Sequence, residues 1–374
     1  MKLYYHENVF EAAQKRMARI FDEFDEIVCS CSGGKDSTVI LELALAEAGR
    51  RGRLPLKVLF IDQESEWQGT LDYIEGLTER PEIDLYWIQL PFYVDYGASF
   101  IKDEMIAWEP GVKWIHPKSP KAIVENVFGD YSNKAERKDE FYRMFDVILS
   151  SITHGKPFAN IYGIRADENP HRRLAMMRVK GKYKNIAWCT GQGSVKNGYK
   201  FGPIYDWDSD DIWTAIFKQG WAVNDIYNKI YQWGRAINKI RVSSLTHGIA
   251  SSADLRLVQE IEPQTYEALL ERLPGIGTYS ILGEDIVVSK LPAVFSTWKE
   301  YLEYLLETIC SDEAAGRFRK LFSGKVAQTI PDGEEKWRDL AQMVMVNDIL
   351  GVRLANIAGA RALKERKEER RGRY

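Results

Sequence analysis

The run Ser32-Gly33-Gly34-Lys35-Asp36-Ser37 joins a short apolar segment, 27–31, to a helical pattern that opens at Asp36 or Ser37. A strand that turns through paired glycines into a helix restricts the fold more than any other stretch of the chain. Two adjacent glycines open backbone conformations closed to other residues, so successive N–H groups can converge on one anion. The helix behind them adds its unsatisfied N–H groups and the positive end of its dipole. Lys35 supplies a point charge, and Ser32 and Ser37 offer hydroxyl donors. The run therefore reads as a phosphate cradle. It differs from the G-x-x-x-x-G-K-[ST] loop in its glycine spacing and in the Asp that follows the Lys.

The segments after it keep alternating. A strand over 27–31, a helix over 37–49, a strand over 56–61, a helix over 66–78 and a strand over 85–90 are followed by a helix over 141–152. Further strands are expected at 160–163 and 200–205. Such alternation predicts right-handed parallel crossovers and an α/β fold with a doubly wound, mainly parallel five-stranded sheet. Residues 8–24 carry apolar side chains at helical spacing and read as a helix that packs on that sheet. The expected organisation is an N-terminal helix over 1–25, a nucleotide-binding domain over 26–206 with an insertion at 91–135, and a mostly helical domain over 207–374.

Composition agrees with one large domain and a smaller appendage, at 374 residues with 45% apolar content. The 51 basic and 54 acidic residues leave a net charge of −3, which gives no global case for nucleic acid. The tail from Arg361 is locally basic, with seven basic and three acidic residues, and suits nucleic acid or a solvated helix end. No signal peptide and no membrane-spanning stretch is read, so a cytoplasmic protein is expected. The four cysteines, Cys29, Cys31, Cys189 and Cys310, make no C-x-x-C pair and no metal-ligand spacing. Cys29 and Cys31 should face one side of their strand and read as packing residues, with Cys189 the more accessible of the set.

Ligands of doubly wound sheets bind at the carboxyl ends of the strands, beside the switch in strand order. Asp62 ends the second strand there, where its carboxylate could meet a ribose hydroxyl, the backbone could meet an adenine edge, or the residue could serve as a cap or turn residue. The aromatic stretch within 91–134 reads as a lid or as a packed insertion, each Trp singly reading as core. After the fourth strand, Gly163-Ile164-Arg165-Ala166-Asp167-Glu168-Asn169-Pro170-His171-Arg172-Arg173 places three arginines where they could make bidentate contacts to phosphate or sulfate. Asp208, Asp210 and Asp211 read as the cap and first turn of a helix, an assignment simpler than Mg²⁺ ligation.

The first loop resembles the S-G-G-x-D-S loop of the ATP pyrophosphatase superfamily. Together with the 163–173 segment and Pro203-Ile204-Tyr205-Asp206-Trp207, it resembles the phosphoadenosine-phosphosulfate (PAPS) reductase family. By that resemblance Ser32, Gly33, Gly34, Lys35, Asp36, Ser37, Asp62, Gly163, Arg165, Glu168, Arg172 and Arg173 would bind the nucleotide, with Lys35 and Arg165 acting on developing charge. Residues 224–231, 241–244, 261–266 and 337–348 look like the helical extension of a subfamily related to immunoglobulin-binding regulators, whose members are described with ParB-like partners. The resemblance thus implies ATP or PAPS, Mg²⁺ carried on phosphate oxygens, and a ParB-like protein through which nucleic acid could be met. The chain departs from true PAPS reductases in lacking their C-terminal E-C-G-[IL]-H cysteine. The leading expectation is therefore ATP cleavage at the α-phosphate, with sulfur transfer as one use of the activated group; a sulfonucleotide enzyme using an external thiol and a non-catalytic nucleotide sensor are the alternatives.

Overall fold

The computed structural model describes residues 6–95, 104–132, 140–168, 172–174, 182–246, 252–277, 280, 290–346, 348, 351 and 353–361. The chain divides into two compact units, Met1–Tyr93 with Ile106–Ser244, and Val94–Met105 with Leu245–Tyr374.

In the first unit α1 (Val9–Glu23) begins where the Asn8 side chain accepts the Glu11 amide at 2.9 Å. Its buried face, Ala12, Ala13, Met17, Ile20 and Phe21, repeats at helical spacing, and all but Ala12 join the core of the sheet. Each large side chain buried in this way contributes about 1.5–3 kcal/mol. The chain then runs through β1 (Glu26–Ser30), α2 (Lys35–Arg50), β2 (Leu56–Ile61), α3 (Gln68–Leu77) and β3 (Ile83–Ile88). Two short strands at the edges of the Val94–Met105 segment, β4 (Phe92–Asp95) and β5 (Glu104–Ala107), come next, and the first unit resumes with α4 (Glu140–Ile152), β6 (Phe158–Ile161), β7 (Cys189–Gly191) and β8 (Gly198–Phe201).

The main sheet has six strands in the order β3-β2-β1-β6-β8-β7, and β4 pairs with β5 in a separate two-stranded sheet. Val28 lies opposite Lys57 of β2 and Asn160 of β6, both in parallel register. The five expected strands are present and parallel, as the alternation of segments predicts. The sixth, β7, adds to β8 antiparallel at one edge; three residues are too few for a readable period. Strand order reverses between β1 and β6, which puts the switch point beside the phosphate loop.

The first unit continues beyond the expected boundary at 206, through α5 (Ser209–Gln219) and α6 (Ile226–Gln232) to Ser244. Ile212, Ala215 and Ile216 of α5 enter the same core as α2, which is why the unit does not stop at the last strand. Asp208 caps α5 as expected, accepting the amides of Asp210 and Asp211 at 3.0 Å each while its own amide donates to Asp211 Oδ2 at 2.8 Å. In the 91–135 insertion Trp108 is fully buried and donates from Nε1 to the Asp62 carbonyl at 2.8 Å, so this residue is core.

The sheet also carries a buried polar chain. Ser30 Oγ donates to Asn160 Oδ1 at 2.7 Å, Asn160 Nδ2 to Gln192 Oε1 at 3.1 Å, and Gln192 Nε2 to Asp146 Oδ1 at 2.7 Å. Every link satisfies a group whose burial alone would cost about 1–3 kcal/mol.

The second unit is helical where it is described, with α7 (Ser252–Ile261), α8 (Pro263–Arg272) and α9 (Trp298–Tyr304) followed by a π-helical turn, Leu305–Ile309. Then come α10 (Asp312–Phe322), α11 (Lys325–Gln328) and α12 (Glu334–Met345). Trp298, Leu302, Leu306, Phe318, Leu340 and Met343 belong to its core. The basic tail beyond Arg361 lies outside the described residues. No helix among the described residues is long and apolar enough to cross a membrane.

Candidate functional site

The loops that follow β1 and β6 flank the switch point and meet backbone to backbone. Gly33 takes a left-handed φ of +71°, and a Cβ there would lie 2.8 Å from Thr70 Cγ2. Gly34 has an ordinary extended conformation (φ −83°, ψ 160°) and is the N-cap of α2. The loop's conformational demand on glycine therefore falls on Gly33. At Gly163 a Cβ would stand 2.7 Å from the carbonyl carbon of Asp36 and 2.9 Å from the Ser37 nitrogen. Gly163 is thus the residue that lets the end of β6 approach the first turn of α2.

Within the loop Ser37 Oγ donates to the Gly34 carbonyl at 2.8 Å and accepts the Ser32 amide at 3.2 Å, which holds the turn closed. The charged residues pair across the two loops. Arg165, only 5% exposed, donates from Nε to Asp36 Oδ1, and Lys35 Nζ lies 3.5 Å from Asp36 Oδ2. One carboxylate thereby holds two cations beside the helix N-terminus. Burial pulls the Lys35 ammonium below the usual lysine range; Asp36 opposes that shift and Arg165 adds to it.

Glu168 accepts the Arg165 amide at 3.2 Å and pairs with Arg172. Arg173 donates from Nε to the Ala166 carbonyl at 3.1 Å. The structure thus brings Ser32 to Ser37, Gly163, Arg165 and Glu168 together, with Arg172 attached through Glu168. Arg173 is tied to its own loop. Asn169, Pro170 and His171 lie outside the described residues.

A segment without any site motif, residues 224–244, reaches the same place. Tyr227 of α6 accepts the Lys35 amide at 3.0 Å, and Lys35 Nζ donates to the Ile240 carbonyl at 3.1 Å. Asn224 Nδ2 donates to the Gly33 carbonyl at 3.2 Å and to Thr70 Oγ1 at 2.9 Å. Arg241 donates to the Glu168 carbonyl at 2.8 Å, and Ser244 Oγ lies 2.8 Å from Ser65 Oγ. No local pattern announces these residues, because each partner lies far away in sequence.

The Asp62 carboxylate is turned into the protein rather than to the strand-end surface expected of a ribose contact. It is fully buried, its Oδ1 accepting the Glu64 amide at 2.9 Å and its Oδ2 accepting Trp87 Nε1 at 3.1 Å and Gln89 Nε2 at 2.8 Å. His116 Nε2 stands 3.3 Å from Oδ1. The turn-residue alternative describes Asp62, which closes an Asx turn and is then covered by the insertion. Cys189, expected to be accessible, is buried as well, with its thiol pushed up to about 11 by burial.

The donors present do not fit a dedicated Mg²⁺ site. Among the described residues no group of three His, Cys, Asp or Glu side chains is arranged to hold a metal ion, and the loop carboxylate Asp36 is already engaged by Lys35 and Arg165.

The chain is similar in sequence to several known proteins. A family model described as the phosphoadenosine phosphosulfate reductase domain matches residues 26–110 and 112–233, and a domain of unknown function, DUF3440, matches 234–330. The chain is 31% identical over 274 residues to the uncharacterized protein YbdN of Escherichia coli K12, covering 72% of this chain and 66% of that one. It is 26% identical over 203 residues to sulfate adenylyltransferase subunit 2 of Mycolicibacterium vanbaalenii, covering 52% of this chain and 55% of that protein. The chain thus spans somewhat over half to about two thirds of the length of these relatives. A PAPS reductase from Candida auris superposes with a TM-score of 0.30 at 12% identity, over 61% of this chain and 93% of that one.

Proposed function

The chain belongs to the phosphoadenosine phosphosulfate reductase domain family, and from that premise we propose that its phosphate loop binds ATP and that the protein transfers the adenylyl group to an acceptor with release of pyrophosphate. The observation that carries this choice within the family is the state of the cysteines. Cys29 and Cys31 are buried and their thiols are raised by burial, as is the thiol of Cys189. Cys310, in the second unit, is half-buried and raised as well. A thiolate that attacks sulfate must be exposed and stabilised as the anion, and none of the four meets that requirement. The likeness to sulfate adenylyltransferase subunit 2 supports the same reading.

Adenylyl transfer asks for groups the two loops possess. The backbone N–H groups at the start of α2 would hold the leaving pyrophosphate, and Lys35 and Arg165 would offset the negative charge that builds as the bond to the α-phosphate breaks. Asp36 would hold both cations in place before the substrate arrives. Mg²⁺, which commonly uses few protein ligands, would enter on the phosphates. The activated acceptor would then receive sulfur or nitrogen.

Incubation with α-labelled ATP, and in parallel with PAPS, tests the proposal. Pyrophosphate and a labelled adenylyl product are expected. Sulfite and adenosine bisphosphate formed with an external thiol would replace the proposal with a sulfonucleotide reaction. Saturable nucleotide binding with no product from either compound would make the chain a sensor.

A further inference from the structure

We infer that the phosphate loop is capped by its own chain: the Tyr227 hydroxyl and the Ile240 carbonyl occupy the positions at Lys35 that phosphate oxygens need, so nucleotide binds only when this cap lifts. The inference rests on the nucleotide reading above and concerns the regulation of that site.

The cap is made of uncharged acceptors laid on charged and polar donors. Tyr227 Oη accepts the Lys35 amide at 3.0 Å and lies 3.4 Å from where a Cβ on Gly34 would stand, directly over the glycine turn. Lys35 Nζ, 4% exposed, is satisfied by the Ile240 carbonyl at 3.1 Å and stands 5.5 Å from the centre of the Tyr227 ring. One backbone donor and one ammonium of the cradle are thus both committed to residues 227–240.

A phosphate oxygen accepts from the Lys35 amide through a charge-assisted bond roughly twice as strong as the neutral one to Tyr227, and it meets the Lys35 ammonium as ion to ion where Ile240 offers a neutral carbonyl. Phosphate can therefore displace the cap, and the observed affinity is the intrinsic affinity multiplied by the fraction of molecules in which the cap is open. Asn224, bound to the Gly33 carbonyl and to Thr70, fixes the start of α6, so the lift is confined to the residues after it. Trp213 stands edge-on to the Tyr227 ring, with centroids 5.3 Å apart, and reports its position.

Tyr227→Phe keeps the ring and removes the hydroxyl. Calorimetry with inorganic pyrophosphate and with ATP should show the variant binding about three- to tenfold tighter than wild type, the worth of one net hydrogen bond. ATP should also change tryptophan emission in the wild type, and Trp213→Phe should remove that change. Equal or weaker binding by a Tyr227→Phe protein with wild-type circular dichroism overturns the cap and leaves the nucleotide reading standing. Failure of both proteins to bind either compound at millimolar concentration overturns the nucleotide reading, and the cap with it.

Discussion

Alanine at Gly33 and alanine at Gly34 should differ in stability by about 2–3 kcal/mol although the two residues are adjacent. At Gly33 the backbone φ is +71°, a conformation that costs an L-residue about 1–2 kcal/mol. The new methyl would also meet Thr70 Cγ2 at 2.8 Å. Thr70 cannot turn away freely, because it is buried and its hydroxyl accepts Asn224 Nδ2 at 2.9 Å, so overpacking adds about 1 kcal/mol. At Gly34 the nearest atoms to a Cβ are Tyr227 Oη at 3.4 Å and Ser32 Oγ at 3.5 Å, ordinary contacts. Alanine is the poorer N-cap there, and the loss of about 0.5 kcal/mol is offset by the lower entropy of the unfolded chain. Urea denaturation of the two variants beside wild type, followed by circular dichroism, measures the difference. Equal destabilisation, or a greater loss at Gly34, would refute the assignment of the conformational demand to Gly33.

Gly163→Ala should cost about 1–3 kcal/mol, because its methyl meets backbone atoms of Asp36 and Ser37 that have no side-chain freedom to yield; wild-type stability on thermal unfolding would contradict this. Arg165→Ala should lower turnover by about 100-fold while ATP affinity falls far less, since its charge acts on the transition state; a pure loss of affinity with unchanged turnover would count against that role. Burial is the largest influence on the His116 imidazole and alone would depress it, yet Asp62, helped by the Pro117 carbonyl and Glu64, holds the pKa above the ordinary value. Its folded value exceeds the unfolded one, so the stabilisation is complete below about pH 6.5 and fades as pH rises through the raised value. The urea-stability difference between wild type and His116→Gln should therefore shrink from about pH 5.5 to about pH 8.5. A flat difference, or one that grows, would refute the coupling to Asp62.

What the sequence makes legible here is local. The phosphate loop spans six consecutive residues, so its turn, charge and helix start can all be read from one short string. The Asp208 cap is legible for the same reason, its partners Asp210 and Asp211 following within three positions. The parallel strands are legible because crossover units repeat a simple alternation. Tyr227 and Ile240 are not, since they meet Lys35 across 192 and 205 residues of chain. Asp62 misleads because its position at a strand end is right for a ligand while its covering partners, Trp87, Gln89 and His116, are contributed from elsewhere. Cys189 misleads likewise: the glycine-rich stretch after it suggests an open loop, and the short edge strand that buries it has no period to read.

The contact at Gly163 has a consequence for transplanting this site. Because the main chain of one loop rests on the main chain of the other, the cradle and the arginine-bearing turn form a single jaw. A chimera that receives residues 32–37 without a glycine at 163 would inherit the right donors on a displaced hinge. The heritable unit is the pair of turns, and the smallest module that could be moved intact is the β1–α2 turn together with the end of β6.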